Sequence, residues 1–416
     1  MALVSETVFY LFVFLSIYVQ VFFFVTFLEN RKKIVIRDKA IKLDNYPGVT
    51  LIVPSLNEET TVFKTIQSLL SLNYPKDKLK IFLIDDGSTD GTWSVFKKFE
   101  NYPYIKIFKR EKNAGKHMAL NLGLENTETE FVGCLDADSL VDSEALVRIM
   151  SYFERDSTVM AVAPAVVVNN PRGFIQNAQK IEYHTGIYFK KMLGFLGAIN
   201  VTPGPFTIFK KKVFDDLGPY RYAHNTEDME IAYRMQKNHY KIDHCNDAYV
   251  YTNTPYTVRK LFTQRLRWIY GFINNTIDYR GVLFNKKYGN FSTFTLPMGV
   301  VTILSVGYVF MKFFYGIGQF IFNKIVEVQA VGLPAWSNSL DPFFINTRLS
   351  VFITVIIYSL LLFSIIIGSV MTRGTKERRG FPYEIAFYLV IFGFLAPFWI
   401  MKAVYNTIIS KAPAWR

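Results

Sequence analysis

The sequence is poor in the side chains that build metal clusters and disulfide frameworks: its 416 residues hold two cysteines, Cys134 and Cys245, and five histidines. Both thiols lie in segments read below as cytosolic, so neither a disulfide scaffold nor a cysteine zinc cluster is expected. Internal repeats and low-complexity runs are lacking, which removes solenoids and repetitive tails from consideration. Acid is the minority charge, with 34 Asp plus Glu against 47 Lys plus Arg and a formal net charge of +13. That sign suits nucleic acid, an anionic membrane face or a phosphorylated substrate, and does not choose between them. Charge is absent altogether from three runs, Thr7 to Leu28, Ser292 to Met311 and Leu349 to Thr372. Each reaches the roughly 20 apolar residues that a bilayer-spanning helix needs. A fourth run, Ile385 to Met401, contains Pro397 and reads as a kinked span or a re-entrant segment. Half of all residues are apolar, which excludes a disordered or fibrous chain.

Basic residues mark the cytoplasmic ends of spans. Only Glu6 precedes the first run, whereas Arg31, Lys32, Lys33, Arg37, Lys39 and Lys42 follow it. The segment from about 47 to 290 is therefore expected in the cytosol. The connection from Val326 to Arg348 reads as outside, and the basic loop with Arg373, Lys376, Arg378 and Arg379 as inside. The first run lacks a basic leader and a small-residue cleavage site, so it reads as a retained anchor.

Within that segment strand-like runs alternate with helical patterns. Val49 to Ser55, Lys80 to Ile84, Ile105 to Lys109 and Phe131 to Leu135 read as strands. Helices are expected from about Glu58 to Leu70, from Thr89, and from Gly115 to about Glu125. Such alternation implies a parallel sheet with helices on both faces, and ligands in such sheets bind beyond the carboxyl ends of the strands. Those ends carry Asn57-Glu58, Asp85-Asp86-Gly87-Ser88 and Asp136-Ala137-Asp138. Two carboxylates flanking one residue can turn to a single hard cation, and an oxygen-only set favours Mg²⁺ or Mn²⁺ over zinc. Lys116, after Gly115 at a helix start, suits close approach to a phosphate.

Farther on, Thr226-Glu227-Asp228 precedes a helical pattern, with Thr226 as its cap and Asp228 as a candidate general base. From Pro255 to Ile273, helical spacing puts Val258, Phe262, Leu266, Ile269 and Ile273 on one face and Gln264, Arg267, Trp268 and Gly271 on the other. The apolar stripe points to a helix lying in a membrane interface. Its polar face offers a guanidinium for a diphosphate and an indole for a sugar ring. Phe174, Ala178, Ile181 and Tyr188, followed by Lys190 and Lys191, suggest a second such helix.

The motifs DDGS at 85–88, DAD at 136–138, TED at 226–228 and QRLRW at 264–268 stand in an order and spacing that resembles the membrane-integrated family 2 glycosyltransferases. That group includes the cellulose, chitin, hyaluronan and poly-N-acetylglucosamine synthases; the run from Phe206 to Asp228 is most similar to the bacterial poly-N-acetylglucosamine type. The resemblance implies an α/β fold, a Rossmann-like GT-A cytosolic domain with transmembrane and interfacial helices. Its layout would be an anchor and basic linker over 1–46, the catalytic domain over 47–255, interfacial helices over 256–290 and a membrane region over 291–416. It further implies that Asp86, with Glu58 and Lys116 nearby, contacts the uridine part of a UDP-sugar, and that Asp136 and Asp138 hold the diphosphate and its Mg²⁺ or Mn²⁺. Asp228 would take the acceptor proton, Glu227 would help bind substrate, Gln264 and Arg267 would bind the diphosphate, and Trp268 would stack on the acceptor sugar. The expected activity is inverting, processive polymerisation of a UDP-sugar, best matched by UDP-N-acetylglucosamine, in the cytoplasmic membrane. The alternative is transfer of one sugar to a lipid. Expected partners are the donor, the growing polysaccharide or lipid acceptor and the membrane, with an accessory subunit left open and nucleic acid not expected. One departure stands out: Thr202-Pro203-Gly204-Pro205-Phe206 occupies the place of a cysteine-containing acceptor motif, which leaves acceptor contacts open.

Overall fold

The computed structural model describes residues 2–34, 42–332, 349–372 and 382–413. Arg37, Lys39, the basic loop 373–380 and the connection 333–348, on which the orientation reading leans, lie outside them. Helix α1 (Ala2–Asn30) contains the first uncharged run. Strands and helices then alternate as β1 (Val49–Ser55), α2 (Val62–Leu70), β2 (Leu79–Asp85), α3 (Thr92–Lys97), β3 (Ile105–Lys109), α4 (Lys116–Glu125) and β4 (Phe131–Cys134). After these come β5 (Ser139–Val141), α5 (Ala145–Arg155), β6 (Val159–Val168), α6 (Gly173–Phe195), β7 (Ile208–Lys210), α7 (Lys212–Leu217), α8 (Glu227–Lys237) and β8 (Lys241–Thr252). Four more helices close the described chain: α9 (Val258–Asp278), α10 (Leu296–Val331), α11 (Leu349–Met371) and α12 (Pro382–Ile408).

The eight strands form one sheet in the order β3-β2-β1-β4-β7-β6-β8-β5. Strands β3, β2, β1 and β4 run parallel, with Val49 opposite both Leu79 and Phe131, so their carboxyl ends share one edge. The run of parallel pairs breaks there and resumes only between β6 and β8. Strand β7 is antiparallel to both β4 and β6, and β5 is antiparallel to β8. At three residues each, these two strands are too short to leave a periodic signal in the sequence.

Both faces of the sheet are buried, which explains why its central strands are apolar at every position rather than at alternate ones. Leu51, Val53, Ile81 and Leu83 face α2, α3 and α5, whereas Ile52, Phe82 and Ile84 face α4. Fully burying each such side chain stabilises the fold by about 1.5–3 kcal/mol. On the second face the core does not end at the sheet. It continues through Met229 and Tyr233 of α8 and Tyr188 and Met192 of α6 to Phe23 of α1, Leu296 of α10 and Met371 of α11.

Helix α6 buries Ala178, Ile181 and Tyr188 as its spacing predicts, leaving Phe174 exposed. It packs on α11 and α12. A Cβ on Gly368 of α11 would overlap the His184 carbonyl, so only glycine permits this approach. Lys180 and Glu384 form an ion pair at 3.2 Å with side chains 3% and 7% exposed, tying α6 to the start of α12. The predicted stripe of α9 packs on protein everywhere but at its start: Leu266 is buried with Leu261 and Tyr270 against Trp399, Ile400 and Ala403 of α12, Phe262, Ile269 and Ile273 pack against the same cluster, and Val258 is exposed. This helix therefore meets protein where lipid contact was expected. Helix α12 runs unbroken through Pro397, so the chain does not turn back there, and its far end is held by a hydrogen bond between Asn274 and Thr407.

Among the described residues three stretches, Glu6–Lys33, Phe291–Ala330 and Tyr383–Ile408, are long and apolar enough to cross a membrane, and α11 contributes the shorter apolar stretch Val355–Met371. At 1.5 Å per residue the 36 residues of α10 extend about 54 Å, beyond the roughly 30 Å of a hydrocarbon core. The run from Ser292 to Met311 covers the turn before it and only its first part.

Candidate active site

Asp86 follows β2 directly, and Gly87 turns the chain at φ +80°, where a Cβ would stand 2.7 Å from the Asn113 nitrogen. The Asp86 amide donates to Ser55 at 2.9 Å, which binds the ends of β1 and β2 together. Its carboxylate accepts from Arg110 Nη1 at 2.7 Å and from the Gly115 amide at 3.1 Å. Burial raises its pKa, opposed by the Arg110 charge and by the amides of Ala114 and Gly115. Arg110, one residue past β3, is a site residue that the motifs did not reveal. Glu58 lies at the end of β1, buried, with Oε2 accepting from the Thr61 hydroxyl at 2.7 Å.

Gly115, at φ +94°, swings the chain into α4 and makes Lys116 its first residue. The Lys116 ammonium contacts Asp136 at 2.6 Å and Glu227 at 3.3 Å. Burial favours the neutral amine, but the carboxylates of Asp136 and Glu227 outweigh it and hold this group charged well above the ordinary lysine range. Over the pair lies Gly204: a Cβ there would be 2.8 Å from Lys116 Nζ and 3.4 Å from both Asp136 oxygens. The Thr202–Phe206 segment is thereby built into the crevice, with the Cys134 thiol donating to the Gly204 carbonyl at 2.8 Å. Burial pushes that thiol up to about 12, so it serves packing and is no nucleophile.

Asp228 sits one turn into the same crevice. Thr202 donates its hydroxyl to the Asp228 carbonyl at 2.8 Å, and the Asp228 carboxylate accepts from the Met229 amide at 2.9 Å. The side chain opens onto the crevice yet is enclosed by protein. Burial, then the Glu227 charge, push it up to about 6 against the pull of Lys116 and Arg267. From α6, Lys190 faces Asp228 and is itself drawn down to about 8 by burial. Thr226 stands at the N-cap position of α8 but does not cap it. Its hydroxyl donates to Ala223 at 2.9 Å and accepts from Asn275 at 2.9 Å, so the expected cap is instead a brace between the preceding loop and α9. In that loop Ala223, His224 and Asn225 adopt three successive left-handed conformations, φ 44°, 54° and 62°.

Arg267 reaches this loop, donating to the Asn225 carbonyl at 3.1 Å. Gln264 and Trp268 belong to an adjoining cluster: Gln264 Oε1 accepts from Arg265 Nη1 at 2.6 Å, and the Arg265 guanidinium lies 4.1 Å from the Trp268 ring centre. Glu182 pairs with Arg265, and Tyr183 lies between Arg265 and Asp138. The geometry thus gathers Asp86, Lys116, Asp136, Glu227, Asp228 and Arg267 in one crevice, with Asp138, Gln264 and Trp268 along its adjoining wall. Glu58 is tied into its own turn at the rim.

Among the described residues no group of three or more His, Cys, Asp or Glu could enclose a metal ion. Asp136, paired with Lys116 at 2.6 Å, stands beside the bare backbone of Gly204, and Asp138, two residues on, supplies the only other carboxylate of the motif, an incomplete, oxygen-only set. That donor set fits a hard divalent cation whose remaining ligands come from a bound diphosphate and water.

Residues 50–218 match the family described as Glycosyl transferase family 2. The chain is 33% identical over 225 residues to a poly-beta-1,6-N-acetyl-D-glucosamine synthase of Staphylococcus epidermidis, covering 54% of each chain. It is 33% identical over 233 residues to the synthase of that name from Staphylococcus aureus, covering 56% of each. The matched part therefore spans about half the length of these relatives. A mannosyltransferase of Pyrobaculum calidifontis, solved in complex with GDP-Man and Mn²⁺, superposes over 96% of this chain and 99% of its own with a TM-score of 0.60 at 17% identity. That likeness carries the GT-A fold.

Proposed function

We propose that this chain, whose residues 50–218 match the family described as Glycosyl transferase family 2, polymerises N-acetylglucosamine from UDP-N-acetylglucosamine by inverting transfer at the cytosolic face of a membrane. The observation that carries the reading is the succession of charged groups in one crevice: Arg110 paired with Asp86 before α4, Lys116 paired with Asp136 at its start, then Asp228 and Arg267. One end suits a nucleoside, the middle a diphosphate, and the other end a hydroxyl that must lose a proton. Similarity to the staphylococcal synthases supports the sugar and the polymer. The three long apolar helices support insertion in the membrane, with the sheet on the side of the basic residues Arg31 to Lys33.

In the proposed reaction Asp228 accepts the proton of an acceptor hydroxyl as its oxygen attacks the anomeric carbon. The bond from that carbon to the β-phosphate oxygen breaks, and UDP departs with the electron pair. A pKa near 6 keeps Asp228 ionised at neutral pH yet basic enough for this work. Lys116 and Arg267 offset the charge that grows on the departing diphosphate, in a site where water screens little. A Mg²⁺ or Mn²⁺ held by Asp136 and Asp138 would supply further neutralisation of that diphosphate. Arg110 fixes the Asp86 carboxylate for the nucleoside. Trp268 offers the acceptor sugar an apolar platform.

The test is to supply the solubilised protein with Mg²⁺ or Mn²⁺ and a panel of UDP-sugars, following UDP release and sizing the product. Release with UDP-N-acetylglucosamine and a long, glycosidase-sensitive polymer is expected. Release that yields only a singly glycosylated lipid would replace polymerisation with single transfer, and failure to bind UDP would remove the reading.

A further inference from the structure

We infer that Arg265, which lies between Gln264 and Arg267, is a positioning residue that sets the indole of Trp268 for the acceptor sugar; the inference rests on the proposed role of Trp268 as that platform. Arg265 is 4% exposed. Its Nε donates to Glu182 Oε1 at 3.1 Å, its Nη2 pairs with Glu182 Oε2, and its Nη1 donates to Gln264 Oε1 at 2.6 Å. Pairing a guanidinium fork with both oxygens of one carboxylate fixes the plane of the fork as well as its place. That plane lies over Trp268, 4.1 Å from the ring centre, with Phe392 of α12 at 5.8 Å.

A buried cation over an indole is drawn to the negative face of the ring, most strongly where water is excluded. One face of Trp268 is thus occupied by the protein itself, so a sugar can stack only on the opposite face. The ring is held before the acceptor arrives, which lowers the ordering cost of binding. The anchor also connects the platform to the chemistry. Glu182, Gly186 and Lys190 follow one another at four-residue spacing on α6, running from Arg265 toward Asp228, and a Cβ on Gly186 would meet nothing within 4 Å. Tyr183, beside Glu182, joins Arg265 to the side of Asp138.

Bracing α6 against α9 is the competing role, and it would affect donor and acceptor alike. The test uses the full-length protein in detergent with UDP-N-acetylglucosamine and a short β-1,6-linked N-acetylglucosamine oligosaccharide as added acceptor. Arg265→Met is expected to raise the acceptor KM about tenfold, equivalent to about 1.4 kcal/mol, to shorten the product, and to leave the donor KM and UDP affinity within about twofold. Glu182→Gln, which keeps one acceptor oxygen and removes the charge, should show the same split at about threefold, and Arg265→Lys should recover part of the acceptor affinity. Equal changes in both KM values, or an unchanged acceptor KM and product length, would overturn the inference. Should Arg265→Met not fold, Arg265→Lys and Glu182→Gln decide by the same split. If the wild-type protein binds UDP but uses no oligosaccharide, the acceptor reading falls and this inference with it, an outcome distinguished by failing before any substitution is made.

Discussion

At the scale of single residues, Asp228 combines access to the crevice with enclosure by protein. Because burial raises its pKa to about 6, Asp228 is ionised at neutral pH at a cost to folding stability, a cost that vanishes as pH falls below the unfolded value of about 4. Asp228→Asn should therefore leave the melting temperature at pH 7 unchanged or higher, while turnover falls roughly 10²- to 10⁴-fold and UDP affinity persists. Turnover of the wild type should drop as pH falls through about 6, approaching tenfold per unit, because protonation removes the base. A flat profile between pH 5 and 7 would exclude Asp228 from that role. Asp138→Ala should weaken UDP binding only when Mg²⁺ or Mn²⁺ is present; equal loss with and without the ion would argue against a ligand role. Much of this site was legible in the chain: each acidic motif read as a strand end or helix start occupies such a place. Arg110 and Glu182 escaped notice, and Lys190 was read only as the basic end of a helix, for one physical reason. Their partners are fixed by packing between distant elements, with Glu182 and Arg265 lying 83 residues apart, and nothing local distinguishes such a residue from an ordinary surface charge.

At the scale of elements, the four parallel strands were visible because buried β-branched runs and polar strand ends recur at close spacing. Strands β5 and β7 were not, since three residues carry no period and their direction is set by the neighbours they join. The α9 stripe was legible but its partner was not, because an apolar face looks the same whether it meets lipid or α12. The contact of α6 with α12 depends on the Lys180–Glu384 pair, nearly closed to solvent. Lys180→Met would strand the Glu384 carboxylate, at a cost of about 3–5 kcal/mol. Adding Glu384→Gln should return most of that stability, as read by thermal unfolding in detergent; no recovery in the double variant would show that the pair is not the coupling.

At the scale of the whole molecule, charge-free runs announced the long helices, but the reach of α10 to Val331 did not follow, because Lys312, Lys324 and Glu327 interrupt the hydropathy without interrupting the helix. A division at residues 47 and 290 suits the motifs better than it suits the packing. Phe23, Leu296 and Met371 belong to the same core as Ile52 and Phe82, and the Tyr249 hydroxyl donates to the Met371 carbonyl at 3.0 Å. Residues 47–290 expressed alone should therefore expose apolar surface and aggregate, which size-exclusion chromatography would reveal. A monodisperse, UDP-binding fragment would refute that expectation. The shared core has a mechanical corollary. Sideways force on α1, α10 or α11 passes through packed side chains directly to α6 and α8, the helices that carry Lys190 and Asp228. Acyl-chain length should consequently act as an effector, and turnover in bilayers of graded thickness should pass through an optimum while the bound nucleotide stays the same.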